Sequence, residues 1–169
     1  VVWEALLLVG EDRTVDRALG SRFAGSVRGR YLPDEERIVV VRDGSGSLDR
    51  RTLVHELVHA LQDQRFDVGS LPPAPTRDAR LARSALIEGD AGYVADRYDR
   101  RCRAAWSCLP RTTGAPGVGR DGLALAVTYP YGDGPAFVHR LRRRGGWTAV
   151  DAAYADPPAS TAQVIHPER

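Results

Sequence analysis

His55-Glu56-Leu57-Val58-His59 lies inside the run Thr52-Leu53-Val54-His55-Glu56-Leu57-Val58-His59-Ala60-Leu61-Gln62. Leu53, Val54, Leu57, Val58 and Leu61 recur at helical spacing, which predicts an amphipathic helix with that stripe buried. Ser47 or Asp49 suits the N-cap, and Asp67-Val68-Gly69 ends the run. Residues four apart share a helix face, so both imidazoles can reach one metal ion. Glu56 projects about 100° from His55, which suits a general base for water at the metal better than a third ligand. With 4 His and seven Glu in 169 residues, the pentapeptide arises by chance in roughly 0.004 of such chains. It proposes a metal, two ligands and a base.

The length fits a single domain over residues 1–169, with a real core. Hydrophobic content of 43% and charged content of 27% place it among soluble globular proteins. No run reaches the length of a membrane span, and Ala5-Leu6-Leu7-Leu8-Val9 is far too short. A chain that starts at Val1 and lacks Met reads as a fragment of a longer exported precursor, with room for a signal or anchor upstream. Lys and Asn are absent too, so all 24 basic residues are Arg, as a GC-rich genome would give. Net charge is only +2 and the acidic residues are dispersed, so Arg140-Leu141-Arg142-Arg143-Arg144 reads as a solvated helix face and not as a nucleic-acid surface. Cys102 and Cys108 have no second pair with which to hold zinc, and a disulfide in an exported protein is expected.

The predicted fold class is α+β and mostly helical. Val1–Gly10 and Thr14–Arg22 read as helices, while Ser26–Leu32 and Ile38–Val41 read as strands around a Pro33–Glu36 turn. The resulting small antiparallel sheet precedes the motif helix. Thr76 suits the N-cap of a long helix from about Asp78 to about Trp106. Arg111–Gly122 reads as a loop, and Tyr129-Pro130-Tyr131 as part of a turn. Pro135–Arg144 is a helix closed by Gly145-Gly146, Trp147–Tyr154 is another, and Ser160 caps a last turn.

A catalytic zinc keeps three protein ligands and an open position. A third His six residues after His59 would mark a metzincin, but Arg65 and Gln62 occupy the places where that class has His and Gly. Glu88 is the best third ligand, an acidic residue among Ser84, Ala85, Ala91, Gly92 and Ala95 on the second long helix. Two glycines beside it call for a packing or functional reason, and small residues there would let two helices close on a shared metal.

The motif followed by Glu88-Gly89-Asp90-Ala91 resembles the gluzincin group of zinc metallopeptidases. His59-Ala60-Leu61-Gln62-Asp63-Gln64, Tyr129-Pro130-Tyr131, Gly145-Gly146-Trp147 and the stretch from Pro157 to Glu168 are similar to a family of largely uncharacterised bacterial zinc metallopeptidases, a likeness that runs from Gly25 onward. The resemblance implies a zincin-like fold and one Zn2+ on His55, His59 and Glu88. It also implies Glu56 as catalytic base, and a peptide or protein as substrate. A secreted or cell-surface bacterial monomer is expected.

A metal-bound His commonly donates its other N–H to a carboxylate or carbonyl, and Asp90 is the first choice here, before Asp96 and Asp63. An oxyanion donor is also needed, and gluzincins typically use Tyr or His. His166 ranks first because Pro167 restricts its backbone, and Tyr131 in Tyr-Pro-Tyr-Gly ranks second; Tyr129 and His139 are the other candidates. Two readings compete with proteolysis: a binding or sensory domain that keeps the fold without turnover, and zinc hydrolysis of a non-peptide amide.

Overall fold

A short hairpin leads into four helices in the computed structural model, which describes residues 28–42, 44, 46–104, 108 and 122–167. Strand β1 (Gly29–Leu32) pairs antiparallel with β2 (Arg37–Val40), Gly29 opposite Val40 and Tyr31 opposite Ile38. A single 3-10 turn over Pro33–Glu35 joins them, with Glu36 in the left-handed region. The helices predicted over residues 1–10 and 14–22, and all but the last residue of the loop predicted over 111–122, lie outside the described residues.

Helix α1 (Arg50–Phe66) is capped by Asp49, whose carboxylate accepts from the Thr52 N–H at 3.1 Å. Asp67, in the left-handed region, ends it. Helix α2 (Arg77–Ala104) starts where Thr76 Oγ accepts from the Ala79 N–H at 3.0 Å. Cys102, near its end, is bonded to Cys108 with a Cα–Cα distance of 5.7 Å. Helix α3 (Gly122–Ala155) breaks at Gly145–Gly146 into the two helices expected. It begins earlier than predicted, however, and absorbs Tyr129-Pro130-Tyr131, which is helix and not turn. A helical Pro costs about 3 kcal/mol; packing of this segment on α2 outweighs that. Ser160 caps the short α4 (Thr161–Ile165), its hydroxyl accepting from Gln163 N–H at 3.3 Å.

The core joins Ala82, Leu86 and Tyr93 of α2 to Phe137, Val138 and Tyr154 of α3, and Val164 of α4 closes it. Helices α2 and α3 approach most closely where Gly89 faces Gly134: a Cβ on either would strike the other's backbone. Gly92 lies against Pro135 in the same crossing. The small residues beside Glu88 therefore admit α3, and not the motif helix as predicted.

Helix α1 runs antiparallel to α2, with Arg50 meeting Asp99, Arg51 meeting Asp96 and Gln62 meeting Asp90. The predicted burial of its apolar stripe holds for Val58 but not for Leu57 and Leu61. Its buried residues are Glu56, Val58 and Gln62, while Leu57 and Leu61 are 46% and 61% exposed. Leu57 and Leu61 lie on the side of the helix opposite His55 and His59. The polar side is turned inward because its groups find partners on α2. Among the described residues, no helix is long and apolar enough to cross a membrane.

Candidate metal centre

Three side chains meet in the groove between α1 and α2. His55 Nε2 lies 3.1 Å from Glu88 Oε2, His59 Nε2 lies 3.4 Å from the same oxygen, and the two nitrogens are 3.0 Å apart. A tetrahedral ion with ligand bonds of about 2.0–2.1 Å holds its donor atoms roughly 3.3 Å from one another. The triangle thus has the size of one face of such a coordination sphere, made of two imidazoles and one carboxylate. His55, His59 and Glu88, expected to share a metal, are brought together, with α1 supplying adjacent turns and α2 the carboxylate.

The charges of this pocket suit a cation. Burial alone would push the Glu88 carboxyl up, but hydrogen bonds from His55 and His59 and their charge outweigh it and hold the group at about 2. Burial likewise lowers His59, yet its hydrogen bond to Glu88 and that carboxylate's charge, with smaller help from Gln62 and Glu56, carry it above the usual histidine value. A carboxylate kept anionic among imidazole nitrogens is a ready metal ligand.

Glu56 is next to the triangle without joining it. It is only 7% exposed, and its Oε2 accepts the Tyr31 N–H at 2.8 Å. Hairpin register explains this bond. Val41 N–H donates to Arg28 O, so alternation turns the backbone groups of Gly29 and Tyr31 to the outer edge of β1, toward α1. Gly29 lets the strand come this close, since a Cβ there would lie 2.6 Å from Thr52 Cγ2 and 2.9 Å from Glu56 Cγ. Strand β2 is the farther of the two from Glu56, because the β1 edge lies between them. The Glu56 charge acts on both His59 and Tyr131.

Tyr131 reaches the site from α3. Its ring stacks over His55, with centroids 6.3 Å apart, and its hydroxyl lies within the influence of the Glu88 carboxylate. Lost hydration at the hydroxyl, then the charge and hydrogen bond of Glu88 and the charge of Glu56, raise its pKa and keep it protonated. The residue as a whole is 55% exposed, so the ring borders solvent while the hydroxyl faces the carboxylates. The Gly89–Gly134 crossing makes this possible, for Tyr131 precedes Gly134 by about one helical turn.

His166, ranked above Tyr131 from sequence, is placed elsewhere. It is exposed just past the end of α4, where the Val164 and Pro167 carbonyls accept from Arg140 and Arg144. Along α3 those arginines lie about 14 and 20 Å beyond Tyr131, at about 1.5 Å per residue. Tyr129 donates to Thr161 O at 3.2 Å, and the exposed His139 stacks on Tyr93.

The group that holds His59 is Gln62, which sequence reasoning missed. Gln62 Oε1 lies 2.9 Å from His59 Nδ1, while its Nε2 donates to Ile87 O at 3.0 Å and to Asp90 Oδ2 at 3.1 Å. Asp90, the first choice for this role, therefore acts at one remove, and also accepts from Tyr154 OH at 3.0 Å. Asp63 instead accepts from Tyr31 OH, and Asp96 from Arg51. A polar residue one turn after His59, on the same face, was the available signal. Among the described residues, His55 Nδ1 is buried and has no partner.

No protein-family model, curated protein or solved structure matches this chain.

Proposed function

We propose that the chain is a zinc-dependent peptidase of gluzincin-like design, with His55, His59 and Glu88 as ligands. The observation that carries this reading is Glu56, anchored by the Tyr31 amide at the edge of the ligand triangle. A metal held only for structure has no use for a carboxylate fixed beside it.

Two imidazole nitrogens and one carboxylate leave the open position typical of catalytic zinc. Bound zinc supplies Lewis acidity and lowers the pKa of its water toward ~7. Glu56 takes the proton from the attacking water and passes it to the leaving amine as the C–N bond breaks. Tyr131, protonated and exposed at the site, donates its hydroxyl to the carbonyl oxygen as negative charge builds there. The Cys102–Cys108 bond supports an exported protein in an oxidising compartment.

The test pairs wild type with Glu56→Gln. Wild type retains zinc by elemental analysis and cleaves members of a broad peptide library; chelation abolishes cleavage and added zinc restores it. Glu56→Gln keeps the zinc and loses the cleavage. Undiminished turnover in that variant sinks the mechanism, and zinc binding with no cleavage by wild type favours a binding or sensory domain.

A further inference from the structure

Gln62 is 3% exposed, and all the hydrogen bonds formed by its amide run inward. The Ile87 acceptor is a backbone carbonyl, which can accept but never donate. The end of the amide facing it is thus the NH2 group, whose second proton goes to Asp90. The oxygen end is left facing His59 Nδ1 at 2.9 Å. An amide oxygen can only accept, so the nitrogen opposite must carry the proton.

We infer that Gln62 is a positioning residue that fixes His59 as the Nδ1–H tautomer and thereby leaves its Nε2 lone pair free for the proposed metal. Helices α1, α2 and α3 all contribute. Phe66, one turn past Gln62, stacks on Tyr154 with centroids 4.1 Å apart, and the Tyr154 hydroxyl donates to the same Asp90 oxygen that receives Gln62. The chain Tyr154–Asp90–Gln62–His59 is thus anchored at its far end by an aromatic stack. The two histidines are treated differently, for His55 Nδ1 has no such partner among the described residues. An unrestrained imidazole exchanges between tautomers, and only one of them offers Nε2 as a ligand.

The inference rests on the metal reading for its purpose, but its test begins without metal. In chelated protein at pH above the histidine titrations, long-range proton–nitrogen NMR separates the four histidines and reports each tautomer. Wild type is expected to show His59 as Nδ1–H, and Gln62→Leu to lose that preference. Gln62→Met, close to Gln in size but without the amide, is a second variant expected to lose the preference, and amide spectra of both variants show that they are folded. Zinc affinity is expected to fall about 10–100-fold in each. His59 found as Nε2–H in wild type, or unchanged in both variants, overturns the inference. The tautomer is read in metal-free protein, so a failed metal reading shows as absent zinc binding and leaves this result intact.

Discussion

The backbone amide of Tyr31 holds Glu56 Oε2 at 2.8 Å, joining the outer edge of a two-stranded sheet to the helix that carries His55 and His59. One carboxylate oxygen is thereby engaged by a group that cannot rotate away. Gly29, two residues earlier on the strand, leaves no room for a Cβ beside Glu56. The position of the proposed base is thus set by a backbone, which a conservative change of side chain would leave in place.

Gly29→Ala tests that arrangement. The added methyl would sit 2.6 Å from Thr52 Cγ2 and 2.9 Å from Glu56 Cγ, so either strand or carboxylate must move. Overpacking of this kind costs about 1–3 kcal/mol, and displacement of a catalytic group by ~1 Å costs about 100-fold in rate. The expected variant folds, keeps its metal and cleaves roughly 100-fold more slowly. Metal content, thermal unfolding and turnover measured on one preparation check it. Full activity would show that the strand does not position Glu56.

Tyr131→Phe removes a hydroxyl of α3 on which the Glu88 carboxylate acts. The ring can remain stacked on His55, so the fold and the ligand triangle should persist. Loss of an oxyanion donor costs about 100- to 1000-fold in kcat, with KM little changed. Steady-state kinetics on any peptide that wild type cleaves would separate the two constants. A rise in KM at unchanged kcat would make Tyr131 a substrate contact and not a transition-state donor.

The contrast between Tyr131 and His166 shows what could be read from sequence. Asp49, Thr76 and Ser160 were legible as caps because a cap is chemistry between near neighbours. The His55–His59 pair was legible for the same reason, its spacing being that of one helical turn. Tyr131 was harder to rank, because its position depends on where α2 and α3 cross. That crossing is set by Gly89 and Gly134, which are distant in sequence. Leu57 and Leu61 misled in the opposite sense, since an apolar stripe normally marks the buried side. Here a polar face is buried because His55, His59 and Gln62 find partners there. Gln62 itself was invisible as a positioning group until Ile87 O and Asp90 stood beside it.

Asp99 anchors the other end of the α1–α2 pair. Its Oδ1 accepts from Arg50 NH2 at 2.9 Å and Nε at 3.2 Å, with the two side chains 3% and 13% exposed. Removing one member of a buried pair costs about 3–5 kcal/mol, because the remaining charge has lost its compensation. Asp99→Ala is therefore expected to lose about 3 kcal/mol or more in urea unfolding. Asp96→Ala, which removes the more exposed Arg51 partner, should lose at most about 1 kcal/mol. Equal losses would mean that burial does not separate the two pairs.

Tyr129 supplies the pH test, because its hydroxyl joins α3 to Thr161 O at the start of α4. Lost hydration first, then the charges of Asp133 and Asp78, outweigh Arg140 and lift its pKa from 10.0 to about 12. The folded value lies above the unfolded one, so the fold favours the neutral phenol. Its stabilising contribution is therefore complete below pH 10 and is lost as pH rises to about 12. Tyr129→Phe removes the hydrogen bond at every pH, costing about 1 kcal/mol at neutrality, but has no proton to lose. Its stability should consequently fall less steeply than that of wild type between pH 10 and 12. Tyr131 and Tyr154 are also raised and titrate in both proteins, so the difference between the two curves isolates Tyr129. Urea unfolding at a series of fixed alkaline pH values supplies those curves. Parallel curves would show that the Tyr129 proton is not linked to folding in this window.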